Sequence, residues 1–410
     1  MKIRRIFLSI TIAIFMVFSL SLVTDESFAY WASSIGSAND TATGTVTTGI
    51  WDFSQPIFTT QEFYDFATSS TSSATDKYHL ANDLDFSSFT WDYNSSYDSN
   101  TFKGEFDGRD YTLSNITVTS SDTSSVRVSI FSQIDGATIK NVTVDNFKMG
   151  FSNWFFNNSD LEASVFASNV KNAGNLLENI TLNDVELIAN TKNGAGGLVT
   201  TVKGGADLII RNIKATDVTV LNEGKRSGGL ISRILSGSGT VIIEDIDFQG
   251  FVASDSKRSN TGGILGTSAS TTTSITRAIV EYTAEGTVTL SNTSITYKSD
   301  RYTGGFIGNN NSTIGTNITD SFYTGTLYED TKYIGSAVGL EKETTTNLVN
   351  TYYSNVMFNT TTTEPTNTTG IHATLVNAID LNWWNNFASV YYSANSLWQQ
   401  DGTGRLELIR

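Results

Sequence analysis

The 410-residue sequence contains no cysteine, only two prolines and only two histidines. Without cysteine there is no disulfide framework, no thiolate metal site and no thiol nucleophile. Two prolines argue against a Pro-rich linker or stalk. His79 and His372 lie far apart, which rules out an HExxH zinc helix and leaves a His-based triad few candidates. Both are read as structural or surface residues. There is no Gly-x-Ser-x-Gly elbow, no Walker-type phosphate loop and no tight Asp-x-Asp-x-Asp-Gly calcium loop. The sequence therefore points to no metal and no cofactor.

Positive charge is scarce as well. Twenty-six Lys and Arg stand against 41 Asp and Glu, a net charge of −15. Such a balance opposes nucleic-acid binding, which needs cations to displace phosphate counterions. The three cations nearest the N-terminus, Lys2, Arg4 and Arg5, precede an apolar run over 6–23, and Ser27-Phe28-Ala29 offers a small-x-small cleavage site. This is the pattern of an export signal over 1–29. The run is ~18 residues, the lower edge for a bilayer span, so the segment is either cleaved or kept as an anchor. Either outcome exports the rest, and no second long apolar segment follows it. An exported, cysteine-free chain fits a bacterial surface or a secreted protein better than a eukaryotic secretory route.

What the chain has in abundance is Thr, Ser, Asn and Gly, with few helix formers, which reads as all-β. One stretch recurs. Ile139-Lys140-Asn141-Val142-Thr143-Val144 returns as Leu177-Glu178-Asn179-Ile180-Thr181-Leu182, Ile210-Arg211-Asn212-Ile213-Lys214-Ala215 and Ile243-Glu244-Asp245-Ile246-Asp247-Phe248, after an earlier copy at Leu113-Ser114-Asn115-Ile116. The Asn/Asp positions 141, 179, 212 and 245 are 38, 33 and 33 apart, and one more step of 33 reaches Ala278. A period of this size signals stacked repeats. The residue before each corner alternates in sign through Lys140, Glu178, Arg211, Glu244 and Arg277, as in-register parallel strands ~4.8 Å apart prefer. Asn and Asp suit a corner because they tolerate left-handed backbone.

Taken in order, 30–55 reads as an N-terminal arm. At 56–112 the chain forms an N-terminal cap and first coil, opening with a Thr59…Glu62 capping box and a short helix bearing Phe63, Phe66 and Ala67. Repeats run over 113–355, about eight coils and roughly 40 Å of rod. Each carries a Gly marker, as in Gly196-Gly197-Leu198, Gly228-Gly229-Leu230, Gly262-Gly263-Ile264-Leu265-Gly266 and Gly304-Gly305-Phe306-Ile307-Gly308. Glycine there supplies a tight bend that lets backbones stack closely. The segment 356–410, rich in Trp and Tyr, reads as a C-terminal cap over the open end.

On these markers, the later strands Asp320-Ser321-Phe322-Tyr323 and Asn350-Thr351-Tyr352-Tyr353, and the Phe-Asp-Gly turn at 106–108, residues 78–355 resemble the GLUG-motif repeat proteins of bacterial surfaces. Ser232 and Thr200 depart from the motif, standing where its last glycine should. The resemblance implies a right-handed parallel β-helix, a scaffold that usually sits beside other modules.

Three candidate sites follow from the residues. Asp83, Asp85, Asp107 and Asp110 form the densest acidic set, read first as turn chemistry, and as glycosidase carboxylates only if they converge at ~5–9.5 Å. Lys192, Lys225, Arg226, Lys257, Arg258, Lys298, Arg301 and Lys332 precede the Gly markers, and equal phase would stack them into a cationic stripe for an anionic polymer. Acidic neighbours such as Glu223 and Asp255 allow a solvated charge ladder instead. The insertion holding Trp154, Phe155 and Phe156 accounts for the spacing of 38 and is aromatic enough for a sugar or partner surface, or for a flap over the coil.

The expected protein is an exported bacterial surface or matrix β-helix that binds an extracellular polysaccharide or a cell-surface protein without catalysis. A polysaccharide lyase or glycoside hydrolase, and a purely structural scaffold, are the alternatives.

Overall fold

In the long strands the inward residues do not simply alternate. Along Asn175–Ala189 they run Leu177, Ile180, Leu182, Val185 and Leu187, all buried. Two steps of three interrupt the period of two, and each spans a left-handed residue, Asn179 at φ 55° and Asp184 at φ 46°. A left-handed residue turns the strand through a corner and uses up one position, so the apolar face stays inward around the bend. Asn and Asp are the L-residues that adopt this conformation most readily.

The computed structural model describes residues 54–358 except 70–71, 120–123, 125–126, 151–160, 238, 257–258, 270, 291–292, 300, 328–332, 343–344 and 355, together with 371–375, 387, 398–400 and 406–408. The export segment, most of the N-terminal arm, the aromatic insertion with Trp154, Phe155 and Phe156, and Lys257, Arg258 and Lys332 lie outside the described residues.

The described chain is a parallel β-helix. Its long sheet stacks Thr138–Met149, Asn175–Ala189, Leu208–Asn222, Thr240–Ser254, Thr272–Thr283, Thr316–Leu327 and Thr346–Tyr353 in sequence order, every neighbouring pair parallel. Each coil then adds a strand of two or three residues, such as Gly194–Gly196, to a seven-stranded sheet. After a tight bend it adds a strand such as Val199–Val202 to an eight-stranded sheet. Glycine is required at that bend. A Cβ on Gly196 would lie 2.1 Å from the Val199 carbonyl oxygen, and one on Gly228 would lie 1.8 Å from that of Ile231.

The first corner is a column of side-chain amides. Asn141 Nδ2 donates to Asp107 Oδ1 at 3.0 Å, Asn179 to Asn141 at 2.8 Å, and Asn212 to Asn179 at 3.0 Å. Asn350 repeats the contact on Asp320 at 2.8 Å. A second column, Asn146, Asp184 and Asp217, lies five residues on and was not evident in the repeat alignment. The expected step to Ala278 is corrected. The register slips between Ala215 and Val218 as the next strand is laid down, the coil is one residue shorter, and Arg277 takes the corner at φ 54°. Glu244 therefore faces Thr276, and Arg277 reaches back to Asp245 through both Nε (2.8 Å) and Nη2 (2.7 Å). Upstream the alternating column stands in register as expected, Lys140 beside Glu178, Glu178 beside Arg211 and Arg211 beside Glu244. Arg211 Nη2 lies 3.0 Å from Glu178.

At the N-terminal end the helix α1 (Thr60–Ala67) closes the stack. Its capping box is complete: Glu62 N donates to Thr59 Oγ1 at 3.2 Å and Thr59 N to Glu62 Oε2 at 3.1 Å. Phe63 packs on Phe86, Trp91 and Phe106, and Phe66 on Phe102 and Phe131. The C-terminal segment divides between two places, with Phe387 packed on Phe322 and Tyr352 of the last coils. The hairpin of Trp398–Gln400 and Leu406–Leu408 lies against the flank of the long sheet, with Trp398 Nε1 donating to Asp245 Oδ1 at 2.8 Å and Lys214 Nζ lying 3.2 Å from Glu407. Asp245 is a buried carboxylate, and the indole N–H and Arg277 together satisfy it. Thr374–Leu375 extends the long sheet beside Tyr352 and Tyr353.

Replacing Asn179 with Ala removes both of its ladder bonds and leaves a β-carbon residue in left-handed backbone. We expect a loss of about 3 kcal/mol in denaturant unfolding. Asn179→Gly relieves the strain alone and should recover about 1 kcal/mol of it. His79 is buried, with Ser54 Oγ at 2.6 Å, and burial lowers its pKa against the opposing pull of Asp107. The folded state thus favours neutral imidazole. Its stabilisation is complete above the ordinary histidine pKa and is lost as pH falls toward and through the lowered value. Unfolding free energy should drop between pH 7 and pH 5, and His79→Gln should flatten that part of the profile.

Candidate anion-binding notch

The bend at the Gly markers brings the seven- and eight-stranded sheets together so that side chains from both converge on one notch. Register defines its two walls. On one, Arg127, Glu162, Gly194, Arg226, Asn260 and Tyr302 follow coil by coil. The pairing of Ala195 with Ser227 sets Gly194 beside Arg226. On the other wall stand Gln133, Asn169, Thr201, Arg233, Thr267 and Asn309.

Glu162 is the hub, its side chain only 5% exposed. Its Oε1 accepts from Arg233 Nη2 at 2.8 Å and Thr201 Oγ1 at 2.8 Å, with Lys203 Nζ at 3.9 Å. Its Oε2 accepts from Asn169 Nδ2 and lies 3.5 Å from Arg127 Nε. Arg233 Nε donates in turn to Thr201 Oγ1 at 2.9 Å. Residues 71 positions apart in sequence (162 and 233) thus touch because they are two coils apart in space.

Two more carboxylates stand nearby, Asp98 accepting from Arg127 N at 3.0 Å and Asp135 beside Lys171 in register, yet the cations outnumber them. Lys203 sits amid Arg233, Arg127 and Lys171, and its pKa is lowered, by burial first and by these cations after it, against the pull of Glu162. Burial, aided by Arg233, pushes Arg226 down to about 10, so it keeps its charge at neutral pH. Its Nη1 donates to the Lys192 carbonyl oxygen at 2.7 Å. Among the described residues no carboxylate lies within 4.0 Å of Arg226 or Lys171. The Nε of Arg226 and the Oδ1 of Asn169 are buried without a hydrogen-bond partner.

The cations singled out from the sequence do not form one stripe among the described residues. Arg226 faces the notch. Lys225 precedes the strand Arg226–Gly228 by one residue, off the face that Arg226 occupies, and shares its column with Arg301. Lys192 aligns with Gly224 rather than with Lys225. Lys298 belongs to an antiparallel hairpin, Glu285–Leu290 with Thr293–Lys298, and lies 3.9 Å from Glu285. Arg301 covers the rings of Tyr302 and Tyr333 at 4.6 and 5.5 Å. Small insertions before the Gly markers shift the phase on which a stripe depends. The acidic set is turn chemistry. Asp107 accepts from Arg109 N and Asn141, Asp85 from Ser87 and Asn115, and Asp83 from Thr112 N. Hydrogen bonds from Asn115 and Ser87 lower the pKa of Asp85. Among the described residues no three carboxylate or imidazole groups gather as metal ligands would.

Neither a protein-family model nor a curated protein matches the chain. Among solved structures, it is similar to a putative immunoglobulin A1 protease from Bacteroides ovatus, with a TM-score of 0.54 at 14% identity, over 87% of this chain and 92% of that one. At such identity the likeness is one of fold.

Glu162→Gln keeps the shape of the hub and removes its charge, leaving Arg233 and Arg127 facing each other. We expect it to cost about 3 kcal/mol in unfolding at low salt. Added sulfate should restore more stability to this variant than to the wild type, because an anion seated among the cations binds only the folded state.

Proposed function

We propose that the protein is an exported bacterial surface or matrix β-helix that binds an extracellular anionic polysaccharide through the notch and leaves it intact. The observation that carries this reading is the cation excess around Glu162. Arg127, Lys203 and Arg233 lie within 4.0 Å of Glu162, and Lys171 and Arg226 stand next to these cations, so five cations outnumber Glu162, Asp98 and Asp135 on a chain whose net charge is −15. A patch of sign opposite to the rest of the molecule concentrates counter-ions. Successive coils repeat weak contacts along it, and affinity accumulates with the length of the polymer.

The resemblance to GLUG-motif proteins agrees with this reading and rests on the repeat residues alone. Glycoside hydrolysis is disfavoured. It calls for two carboxyl groups with distinct roles, and both oxygens of Glu162 are already engaged. The protease name of the structural neighbour is not carried over, since fold hosts many functions.

The test is binding of the purified protein to dextran sulfate, polygalacturonate and teichoic acid, with neutral dextran as control and with product analysis of each mixture. Affinity should fall about tenfold or more between low and moderate salt. The variant Lys171→Ser/Lys203→Ser/Arg226→Ser should lose about tenfold or more, while Lys192→Ser/Lys225→Ser, off the notch walls, should lose little. Shortened or unsaturated glycan products would refute the non-catalytic reading.

A further inference from the structure

The notch changes character along the axis. Beyond Arg226 its first wall continues as Asn260, Tyr302 and Tyr333. Beyond Arg233 its second wall continues as Thr267 and Asn309. The walls still meet, for Asn309 Nδ2 donates to Asn260 Oδ1 at 3.3 Å. The Oγ1 of Thr267 and the Oδ1 of Asn309 are buried without a hydrogen-bond partner. Tyr302 and Tyr333 set their rings 4.8 Å apart and 68° to one another. Over two to three coils the wall residues change from mostly charged groups to amides, a hydroxyl and an aromatic pair, over whose rings the Arg301 guanidinium lies at 4.6 and 5.5 Å.

Such a set suits uncharged sugar rings, whose hydroxyls bond to amides, Thr and the guanidinium and whose C–H groups pack on the part of the half-buried rings that Arg301 leaves uncovered. Arg226 and Tyr302 are two coils apart, ~10 Å at the usual strand spacing, about the length of a disaccharide. Resting on the polyanion reading, we infer that the ligand is a linear acidic heteropolysaccharide lying along the notch. An acidic sugar sits at Arg226 and Arg233, and uncharged sugars lie over Asn260, Thr267, Asn309, Tyr302 and Tyr333. The notch selects sugar sequence as well as charge.

Calorimetric titrations with three probes separate the two claims. They are dextran sulfate, a homopolymeric uronate oligosaccharide, and an oligosaccharide alternating glucuronate with N-acetylglucosamine. The alternating probe should bind tightest. Tyr302→Ala/Tyr333→Ala should weaken it about tenfold and change dextran sulfate less than twofold. Thr267→Val, which keeps the side-chain volume and removes the hydroxyl, should weaken it about threefold, so the test does not depend on the tyrosine variant folding. Equal affinities for the two oligosaccharides, or tyrosine and threonine variants that bind all probes like the wild type, would overturn the inference and leave the polyanion reading intact. Failure of all three probes to bind the wild-type chain would overturn both.

Discussion

The left-handed corner controls the rest of this structure. A parallel strand can wrap a solenoid core only if its apolar face keeps pointing inward through each bend, and Asn141, Asn179, Asn212 and Asp245 do this at the cost of one extra residue each. The same side chains then bond to the coil before them, so the residue that turns the chain also fixes its register. Once register is fixed, the sign alternation of Lys140, Glu178, Arg211 and Glu244 follows as a condition on neighbours rather than as a source of much stability, since partly exposed pairs contribute little. Where an arginine replaces the amide, at Arg277, its two N–H groups on Asp245 maintain the contact with the coil below.

Register also makes the notch. Arg127, Glu162, Thr201 and Arg233 come from four successive coils and are unremarkable in sequence. The Gly bends bring two sheets close enough for their side chains to meet, and stacking delivers one coil after another to the same place. A groove built this way has a repeat length set by strand spacing. That links the fold to polymeric ligands more naturally than to small ones.

Legibility in the sequence followed the same divide. The corner column, the Gly bends and the capping box at Thr59 and Glu62 could be read because each is local and each recurs or carries its own signature. The second corner at Asn146, Asp184 and Asp217 was hidden because Thr and Asp are frequent there for other reasons. The step to Arg277 was misplaced because a one-residue shortening is invisible in a period estimated from three intervals. Position relative to the Gly marker does not fix the face on which a cation stands, because a single residue moves a side chain from one strand face to the other, as Lys225 and Arg226 show. Glu162 carried no local signal at all, and only a coil-by-coil alignment of Arg127, Glu162, Thr201 and Arg233 could have exposed it. Aromatic content marks the C-terminal segment as buried without telling against which surface, and Trp398 meets Asp245 on the flank of the long sheet.

Hydrogen exchange of the protein with and without dextran sulfate tests the central claim most directly, because it reports where the polymer lies. Slowed exchange is expected in the strands that form the notch, Glu162–Ser164, Ala167–Lys171, Val199–Val202, Arg226–Gly228 and Ile231–Ile234. Little change is expected on the long sheet at Asn175–Ala189 and Leu208–Asn222. Protection confined to the long sheet, or absent at saturating polymer, would contradict the claim.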